Sequence, residues 1–381
     1  MSSWKEFKLG DIAKLSKKTW KVGDELMPYI GLEHIEESKL RLNSIGSSEN
    51  VASNKFRFQA GDTLFGKLRP YFRKVIKPNF DGVCSTDIWV LNPQKGIDKD
   101  FLFYFFANQE LVDISYSASS GTRMPRADWD FLSQTVWNIP SIEEQKAIAE
   151  VLSSLDDKID LLHRQNQTLE SIAQTLFRQW FIEEAKEEWE EKTLSYFGDI
   201  ICGKTPSKSN SQYFDGNVPF IKIPDMHGNT FIFKTTDTLS EIGKESQKNK
   251  TLPPKSICVS CIATVGLVSM NIIESQTNQQ INSIIPNKDI YRYFIYLFMQ
   301  SSYDLLHAMA SGGTATLNLN TGDFSKMEIL KPDDETLKIF HQVIEPTFDK
   351  IFINSKQIQT LENLRDTLLP KLLSGEVRVK I

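Results

Sequence analysis

The sequence predicts an α+β protein in which two tandem α/β domains alternate with two long helices that pack together as a coiled coil. Three observations support this prediction. The chain carries an internal repeat, each copy contains many short β-rich runs, and each copy continues into a long segment with heptad spacing. A pseudo-twofold internal repeat is therefore expected.

The repeat is visible as matching letters at a fixed separation. Residues 118–122 (ASSGT) recur as 310–314 (ASGGT), and 167–170 (QTLE) recur as 359–362, in both cases 192 residues later. The opening WKEFKLGDI also recurs from Trp189 onward, and Gly198 is matched with Gly10. Two tandem copies imply four segments, which are domain 1 (1–140), a central helical region (141–188), domain 2 (189–331) and a C-terminal helical region (332–381).

The first part of each copy has the pattern of a small mixed domain. Apolar runs at 63–65, 88–91 and 257–260 are separated by Gly, Pro and Asn turns, as strands are. A helix-like aromatic stretch follows in each copy, at 101–108 and 293–300.

The second part of each copy has the pattern of a long helix. Pro140 precedes Ser141-x-x-Glu144, a capping box, and apolar residues then recur in steps of four and three. The second helix carries a weaker version of this seam, and its start is uncertain because Pro332-Asp-Asp-Glu replaces the first motif. Asn166 and Asn354 fall on the two seams, where they either fix the register as a buried pair or face solvent.

Composition excludes several classes of protein. No apolar run approaches the roughly 20 residues of a membrane span, and the N-terminus lacks a signal-peptide core, so no membrane partner is expected. Four scattered cysteines fit a reducing cytoplasm better than a disulfide framework, so a cytoplasmic protein is expected. Cys258 and Cys261 lie in an apolar run and are expected to be buried thiols rather than zinc ligands. The net charge is −5, but residues 55–77 hold seven basic side chains and one acid, which indicates phosphate contacts.

Motifs for catalysis are weak. Gly198-x-x-x-x-Gly-Lys204-Thr205 fits a phosphate loop, but Pro206 and a polar run follow where such a loop requires a helix. Glu144-Gln145-Lys146 matches half of a nuclease signature and is interpreted as a solvated helix face. The five histidines are dispersed, so spacing indicates neither a metal cluster nor a catalytic triad.

Residues 139–159 (IPSIEEQKAIAEVLSSLDDKI) resemble the central region of the specificity (S) subunits of type I restriction-modification enzymes. Residues 203–207 (GKTPS), with Tyr213, Gly216 and 219–221 (PFI), resemble the opening of their target-recognition domains, and 372–377 (LLSGEV) resemble their C-terminal end. The resemblance covers essentially the whole chain.

The resemblance implies a non-catalytic subunit that directs a site-specific endonuclease and adenine-N6 DNA methyltransferase. Each recognition domain would read one half of an asymmetric, bipartite double-stranded DNA target. The helices would form an antiparallel coiled coil, set the spacer and dock two methyltransferase subunits. Motor-nuclease restriction subunits would join this complex. No cofactor is expected in this chain, whereas S-adenosylmethionine, ATP and Mg are expected in the partners. The residues assigned to partner binding are Ile148, Leu152, Leu155, Ile159, Leu176, Ile351, Leu361 and Leu368.

Candidate DNA contacts are polar side chains on loops of the two domains. In the first domain they are Lys67, Arg69, Tyr71, Arg73, Lys74, Ser119, Ser120, Thr122, Arg123 and Arg126. In the second domain they are Lys204, Thr205, Ser207, Thr264, Gln276, Asn278, Gln279, Gln280, Ser311, Thr314 and Thr316. The run 276–280 is favoured for adenine because Asn and Gln pair with it through two hydrogen bonds, although a polar β-turn is the competing interpretation.

Two other functions compete with DNA recognition. One is an ATP-binding enzyme that uses Lys204, and the other is a coiled-coil scaffold whose globular domains bind protein.

Overall fold

The computed structural model describes residues 4–118, 124–311 and 316–380. The chain divides into two compact units, one formed by Met1–Asp160 with Gln359–Ile381 and the other by Leu161–Ile358. The first long helix spans Ile142–Arg178 and the second spans Asp334–Ser374, so each unit contains one globular region and parts of both helices. The division into four segments at 140, 188 and 331 therefore stays a prediction.

The first globular region (residues 4–140) contains three sheets. The largest is mixed, with the order Thr19–Trp20, Lys55–Phe58, Gly82–Cys84, Pro28–Ile30 and Gly46–Ser47. The second is antiparallel, with the order Ala13–Leu15, Ile88–Pro93, Thr63–Gly66 and Val75–Ile76. Lys5–Lys8 pairs with Val136–Ile139, and the helices are Leu9–Ile12, Lys99–Ala107, Gln109–Ser117 and Trp129–Leu132.

The second globular region (residues 189–331) repeats this plan. One sheet has the order Gly198–Cys202, Ile281–Pro286, Ile257–Ser260, Val268–Asn271 and Phe231–Ile232. A second has the order Asp237–Leu239, Phe214–Ile221 and Gln276–Thr277, and Glu190–Thr193 pairs with Glu328–Lys331. The helices are Leu194–Phe197, Ile223–Met226, Glu241–Glu245, Arg292–Ser301, Tyr303–Ala310 and Thr321–Ser325.

The repeat is confirmed, with one correction to its alignment. Each region begins with a short strand and a four-residue helix, Leu9–Ile12 in the first and Leu194–Phe197 in the second. Gly10 lies inside its helix, whereas Gly198 begins the next strand. Gly198 is therefore not the counterpart of Gly10, and a Cβ at Gly198 would lie only 2.3 Å from the carbonyl oxygen of Ile285.

Each unit has a core that joins its globular region to both long helices. In the first unit, Ile148, Leu152, Leu369 and Leu372 pack with the aromatic helix Lys99–Ala107. In the second, Phe177, Phe181, Phe294, Phe340 and Ile351 belong to one buried cluster. Burial of each such side chain contributes about 1.5–3 kcal/mol.

The prediction that the seam residues contact a partner subunit is wrong for the buried members. Ile148, Leu152 and Ile351 lie in the cores just described, and Ile159 is also buried. Their surfaces are covered by this chain itself. The remaining seam residues are half-buried, namely Leu155, Leu176, Leu361 and Leu368.

Within each unit the two helical segments run antiparallel. In the second unit Asn166 contacts Asn354 while Trp180, further along, contacts Phe340. In the first unit the Arg365 guanidinium donates to Asp156 Oδ1 at 2.8 Å.

The two seam asparagines form a buried pair, so the solvent-facing alternative is wrong. Asn354 Nδ2 donates to Asn166 Oδ1 at 3.0 Å, and Asn166 Nδ2 donates to Ser355 Oγ at 3.1 Å. Each Asn thus finds a partner on the other helix.

The start of the first helix departs from the predicted solvated face. Ser141 Oγ accepts from the Glu144 amide, but the Glu144 side chain is fully buried. Its carboxylate accepts from Trp4 Nε1 at 3.1 Å and from the Arg378 guanidinium. Gln145 is also buried and donates to the Pro140 carbonyl. These residues join the helix to both ends of the first unit.

Candidate nucleic-acid interface

Three segments meet at one end of the four-stranded antiparallel sheet of the first globular region. The Lys67 amide donates to the Asp87 carbonyl at 2.9 Å, and the Lys67 carbonyl accepts from the Ala127 amide at 2.9 Å. The Arg69 amide donates to the Pro125 carbonyl at 2.7 Å. We call this arrangement the first three-segment frame, made of residues 66–74, 85–87 and 124–127.

The second globular region contains the same arrangement. The Cys261 amide donates to the Gln280 carbonyl at 2.8 Å, and the Cys261 carbonyl accepts from the Leu319 amide at 2.8 Å. The Ala263 amide donates to the Leu317 carbonyl at 3.0 Å. This second three-segment frame consists of residues 260–267, 278–280 and 316–319. Its bonds place Cys261, Ala263 and Gln280 where the first frame has Lys67, Arg69 and Asp87.

Isolated bridges extend this correspondence. Leu68 pairs with Arg126 in the first frame, and Ile262 pairs with Asn318 in the second. Asn318 is exposed and occupies the position of Arg126. Asn318 is not among the residues predicted from the sequence, although it lies 192 residues after Arg126, at the repeat offset.

Both frames hold a non-glycine residue in a left-handed backbone conformation. Arg69 has φ +50° and Ala263 has φ +66°. This conformation costs an ordinary residue about 1–2 kcal/mol, and such strain concentrates at functional loops. Because it recurs at equivalent positions, it is a property of the frame rather than of one side chain.

The first frame exposes some of the predicted contacts and covers others. Tyr71 is 42 % exposed and packs edge-to-face on Tyr116 at 5.3 Å. Lys67 and Arg69 are half-buried, and Arg69 Nε has no hydrogen-bond partner in the described structure. Arg126 is exposed and forms an ion pair with Asp87 at 3.3 Å.

Two predicted contacts of the first region are turned inward. Arg73 is buried, and its guanidinium forms an ion pair with Asp366 at 2.9 Å. Lys74 Nζ donates to the Leu32 carbonyl at 2.8 Å. Arg73 is therefore corrected to a structural residue, because a buried and paired cation offers no surface to DNA.

A shallow cleft lies beside the first frame. Its volume is about 310 Å³, and it is lined by Lys67, Trp89, Arg126, Ala127, Asp128, Trp129 and Asp130. An adjoining cleft of about 350 Å³ shares Trp129 and Asp130 and is bordered by Lys14 and Lys17. Lys14, Lys17 and Trp129 are not among the residues predicted from the sequence, because they are distant in sequence from residues 66–74.

In the second region, the Lys204 loop lies against the predicted glutamine-rich run. The Lys204 amide donates to the Thr277 carbonyl at 2.9 Å, and Thr205 Oγ1 donates to Gln279 Oε1 at 2.7 Å. Lys204 and Gln279 are exposed, whereas Thr205 and Gln280 are half-buried. The structure thus brings together two sets of candidates that the sequence predicted separately.

Gln276 and Asn278 are covered, and the prediction that they read a base is corrected. Gln276 is 0 % exposed, and its Nε2 donates to the Lys244 carbonyl at 3.0 Å and to Thr251 Oγ1 at 2.9 Å. Asn278 is buried, and its side chain bonds Gln280 through both amide atoms. Their side-chain amides form hydrogen bonds within the domain, so these residues stabilise the loop and do not face a ligand.

The Lys204 segment is not a phosphate loop. Residues 203–210 are all described and form no helix, so the amides and dipole that hold a phosphate are missing there. Gly203 has a different purpose, since a Cβ would lie 2.1 Å from the Asn278 carbonyl oxygen. The glycine is required by close approach of two chain segments, and the ATP-binding alternative is unsupported.

The remaining candidates are placed as follows. Ser207, Thr264, Ser311 and Thr316 are exposed, and Thr264 and Thr316 belong to the second frame. The other five lie outside the described residues, namely Ser119, Ser120, Thr122, Arg123 and Thr314.

The described residues include one group with metal-ligating atoms near one another, Asp289, His341 and Glu345. The Arg292 guanidinium already forms ion pairs with Asp289 at 2.5 Å and Glu345 at 3.4 Å. Burial lowers the pKa of His341. A cation bound there would meet the positive charge of Arg292, so this group is a poor metal site.

The cysteines behave as predicted for buried thiols. Burial raises the pKa of Cys258 to about 12 and that of Cys261 to about 11. Both therefore stay protonated near neutral pH. Among the described helices, none is long and apolar enough to span a membrane.

Comparisons with known proteins agree with this architecture. The pattern of the type I restriction modification DNA specificity domain matches residues 1–171 and again 186–363. The type I restriction enzyme HindI specificity subunit of Haemophilus influenzae is 36 % identical, over 99 % of this chain and 100 % of that protein. The MjaIX specificity subunit of Methanocaldococcus jannaschii is 30 % identical, over 76 % of this chain and 71 % of that protein.

A solved structure shares the fold. The type I restriction-modification S subunit from M. genitalium aligns over 97 % of this chain and 96 % of that one, with 15 % identity and a TM-score of 0.56. The duplicated pattern, the full-length relatives and the shared fold lead to one conclusion. This chain belongs to the family of type I restriction-modification specificity subunits.

Proposed function

We propose that this chain is the non-catalytic DNA-reading subunit of a type I restriction-modification complex and that each globular region reads one half of an asymmetric, bipartite target. One observation carries the proposal. The two three-segment frames have the same backbone hydrogen bonds but different side chains. In protein–DNA complexes the side chains that reach base edges specify the sequence. Two frames with different side chains therefore suit two different half-sites.

The first frame offers cations and an aromatic side chain. Arg69 can bind guanine O6 and N7 through two hydrogen bonds, and Lys67 and Arg126 can bind phosphates. Tyr71 supplies an exposed ring beside these cations.

The second frame offers uncharged hydrogen-bonding groups. Gln279, Gln280 and Asn318 present amides, which suit adenine N6 and N7. Thr205 and Thr264 present hydroxyls, which accept or donate at either kind of base. The exposed Lys204, Ser207, Ser311 and Thr316 are assigned to phosphate contacts.

The long helices are assigned to spacing and assembly. At 1.5 Å per residue, 37 and 41 residues correspond to about 56 and 62 Å of helix. Because the seam is buried, docking of two methyltransferase subunits is assigned to exposed apolar residues of the outer faces, namely Leu161, Ile172, Ile353 and Leu364. Restriction subunits would join this complex. S-adenosylmethionine, ATP and Mg would bind to these partners, and the complex would work in the cytoplasm.

Matched variants in the two frames test the proposal. Arg69→Ala and Asn318→Ala remove one candidate base contact each, which should cost about 1–3 kcal/mol of DNA binding. The measurement is sequencing of the adenines methylated by the complex reconstituted with its methyltransferase subunits. Each variant should relax the sequence at one position, and the two positions should lie in different half-sites.

Lys95→Ala is the control, since Lys95 is exposed just beyond the opposite end of the strand that leaves the first frame. Its methylated sequence should equal that of the parent chain. Relaxation of the same half-site by Arg69→Ala and Asn318→Ala would contradict the assignment of one half-site to each region.

A further inference from the structure

The two frames differ in charge at equivalent positions. Repeated hydrogen bonds and bridges match Lys67 with Cys261, Arg69 with Ala263, and Arg126 with Asn318. The central strand of each region adds a further pair. Lys14 pairs with Asn92, the fifth residue of the strand Ile88–Pro93. Asp199 pairs with Ile285, the fifth residue of the equivalent strand Ile281–Pro286, so Asp199 corresponds to Lys14. Four cations of the first region thus correspond to three neutral residues and one acid.

The basic side chains of the first region form a connected surface. Lys67 and Arg126 line one cleft, Lys14 and Lys17 border the next, and the two clefts share Trp129 and Asp130. Acids are also present, since Asp128 and Asp130 line the clefts and Asp87 pairs with Arg126. The four cations Lys14, Lys17, Lys67 and Arg126 outnumber these three acids by one.

The second frame has the opposite character. Its exposed or half-exposed polar side chains are the amides of Gln279, Gln280 and Asn318 and the hydroxyls of Thr264 and Thr316. Cys261, which replaces Lys67, is buried. Lys204 is an exposed cation beside this frame, so phosphate contact is reduced there rather than abolished.

We propose that the two regions bind DNA by chemically different means: the first supplies most of the salt-dependent phosphate binding, and the second discriminates bases through neutral hydrogen bonds. This inference rests on the proposed function. A cation that neutralises a phosphate releases counterions, so log K falls as log salt concentration rises. Each contact adds about 0.9 to the absolute value of that negative slope, and this absolute value is hereafter called the slope. A neutral amide that binds a base edge adds nothing to that slope.

The test is the salt dependence of DNA affinity for the full chain in its methyltransferase complex. The probe is a duplex that carries both half-sites found by methylation sequencing, titrated between about 50 and 200 mM KCl. The double variant Lys67→Gln/Arg126→Gln should lower the slope by about 1.8. Asn318→Arg should raise it by about 0.9, because it places a cation where the first frame has one. Lys95→Gln, remote from the first frame, should leave the slope unchanged.

Asn318→Ala separates charge from base reading. It should weaken binding and relax one half-site while the slope stays that of the parent chain. Two results would overturn the division of roles while the parent complex still binds its site. In one, the double variant keeps the full slope; in the other, Asn318→Ala lowers the slope as much as Lys67→Gln alone. In either case the proposed function stands. If the parent complex shows no sequence preference at all, the proposed function fails, and this inference fails with it.

Discussion

The buried asparagine pair gives a quantitative prediction about the long helices. Asn354 is 0 % exposed, and its Nδ2 bonds both Asn166 Oδ1 and Gln165 Oε1. Asn354→Leu leaves the Asn166 carbonyl oxygen buried without this donor, which should cost about 1–3 kcal/mol of stability. Asn166→Leu should cost less, because Gln165 still accepts from Asn354.

The double variant Asn166→Leu/Asn354→Leu should regain most of this loss. It removes both polar groups at once, and two leucines fit an apolar heptad seam. The two substitutions should therefore be non-additive by roughly 1–3 kcal/mol, in the favourable direction. The buried pair would then contribute to the register of the helices rather than to net stability.

Hydrogen exchange of residues 161–178 and 334–358 is the assay, because it reports the second unit without assuming that the whole chain unfolds in one step. Asn363→Leu is the control, since Asn363 is exposed on the same helix and its substitution should change stability by less than about 0.5 kcal/mol. Additive losses in the double variant would refute the buried pair, and so would an Asn354→Leu variant as stable as its parent.

Two further predictions concern the helices. The contact of Asn166 with Asn354 sets residues 352–358 against 162–168, so deletion of both heptads preserves the seam. Each helix then shortens by about 10 Å, and the methylated target should keep its letters with a gap smaller by about 1–3 bp. An unchanged gap would contradict a spacing role. Burial raises the pKa of Glu170, although a hydrogen bond from Thr230 opposes part of this shift, so the ionised carboxylate destabilises the fold above the raised pKa. Glu170→Gln should raise the melting temperature near pH 7, with a gain that disappears by about pH 4, and a gain independent of pH would exclude this cause.

The repeat was predictable from sequence, but the purpose of its repeated letters was not. Glu170 and Glu362, the last letters of the repeated QTLE, each join a long helix to a globular region. Glu362 forms an ion pair with Lys39 at 2.5 Å, whereas Glu170 accepts a hydrogen bond from Thr230. The same letter therefore has a charged partner in one copy and a neutral partner in the other, and that difference is set by residues far away in sequence.

Burial of polar side chains was the main source of error. Gln276 and Gln279 are three residues apart in one polar run, yet one is enclosed and the other exposed. The partners of Gln276 are backbone and side-chain groups at 244 and 251, whose proximity depends on how the strand Gln276–Thr277 pairs with Phe214–Ile221. Residue type alone cannot show which amide is satisfied in this way.

Arg73 was misassigned for a related reason. Its place in a basic run indicates DNA contact, and only the packing of the second long helix against the first region reveals its partner, Asp366. The number of cations gives the charge of a segment but does not show which of its side chains face solvent. Arg69, four residues earlier, is half-buried rather than enclosed, so one run contains both a structural arginine and a candidate contact.

The false phosphate loop shows why a duplicated fold can mislead a motif search. Gly203 is required because the Thr277–Asn278 backbone lies too close for a Cβ. Lys204 and Thr205 follow in the same loop, where Thr205 Oγ1 donates to Gln279 Oε1. In the first copy the corresponding strand, Ala13–Leu15, is followed by Thr19–Trp20, which pairs with Lys55–Phe58 instead. The frame of hydrogen bonds is retained between copies while this neighbouring loop changes its partner. The letters of this loop can therefore match a motif without its function. A phosphate-binding loop is distinguished by the helix that must follow it, and residues 203–210 form no helix here.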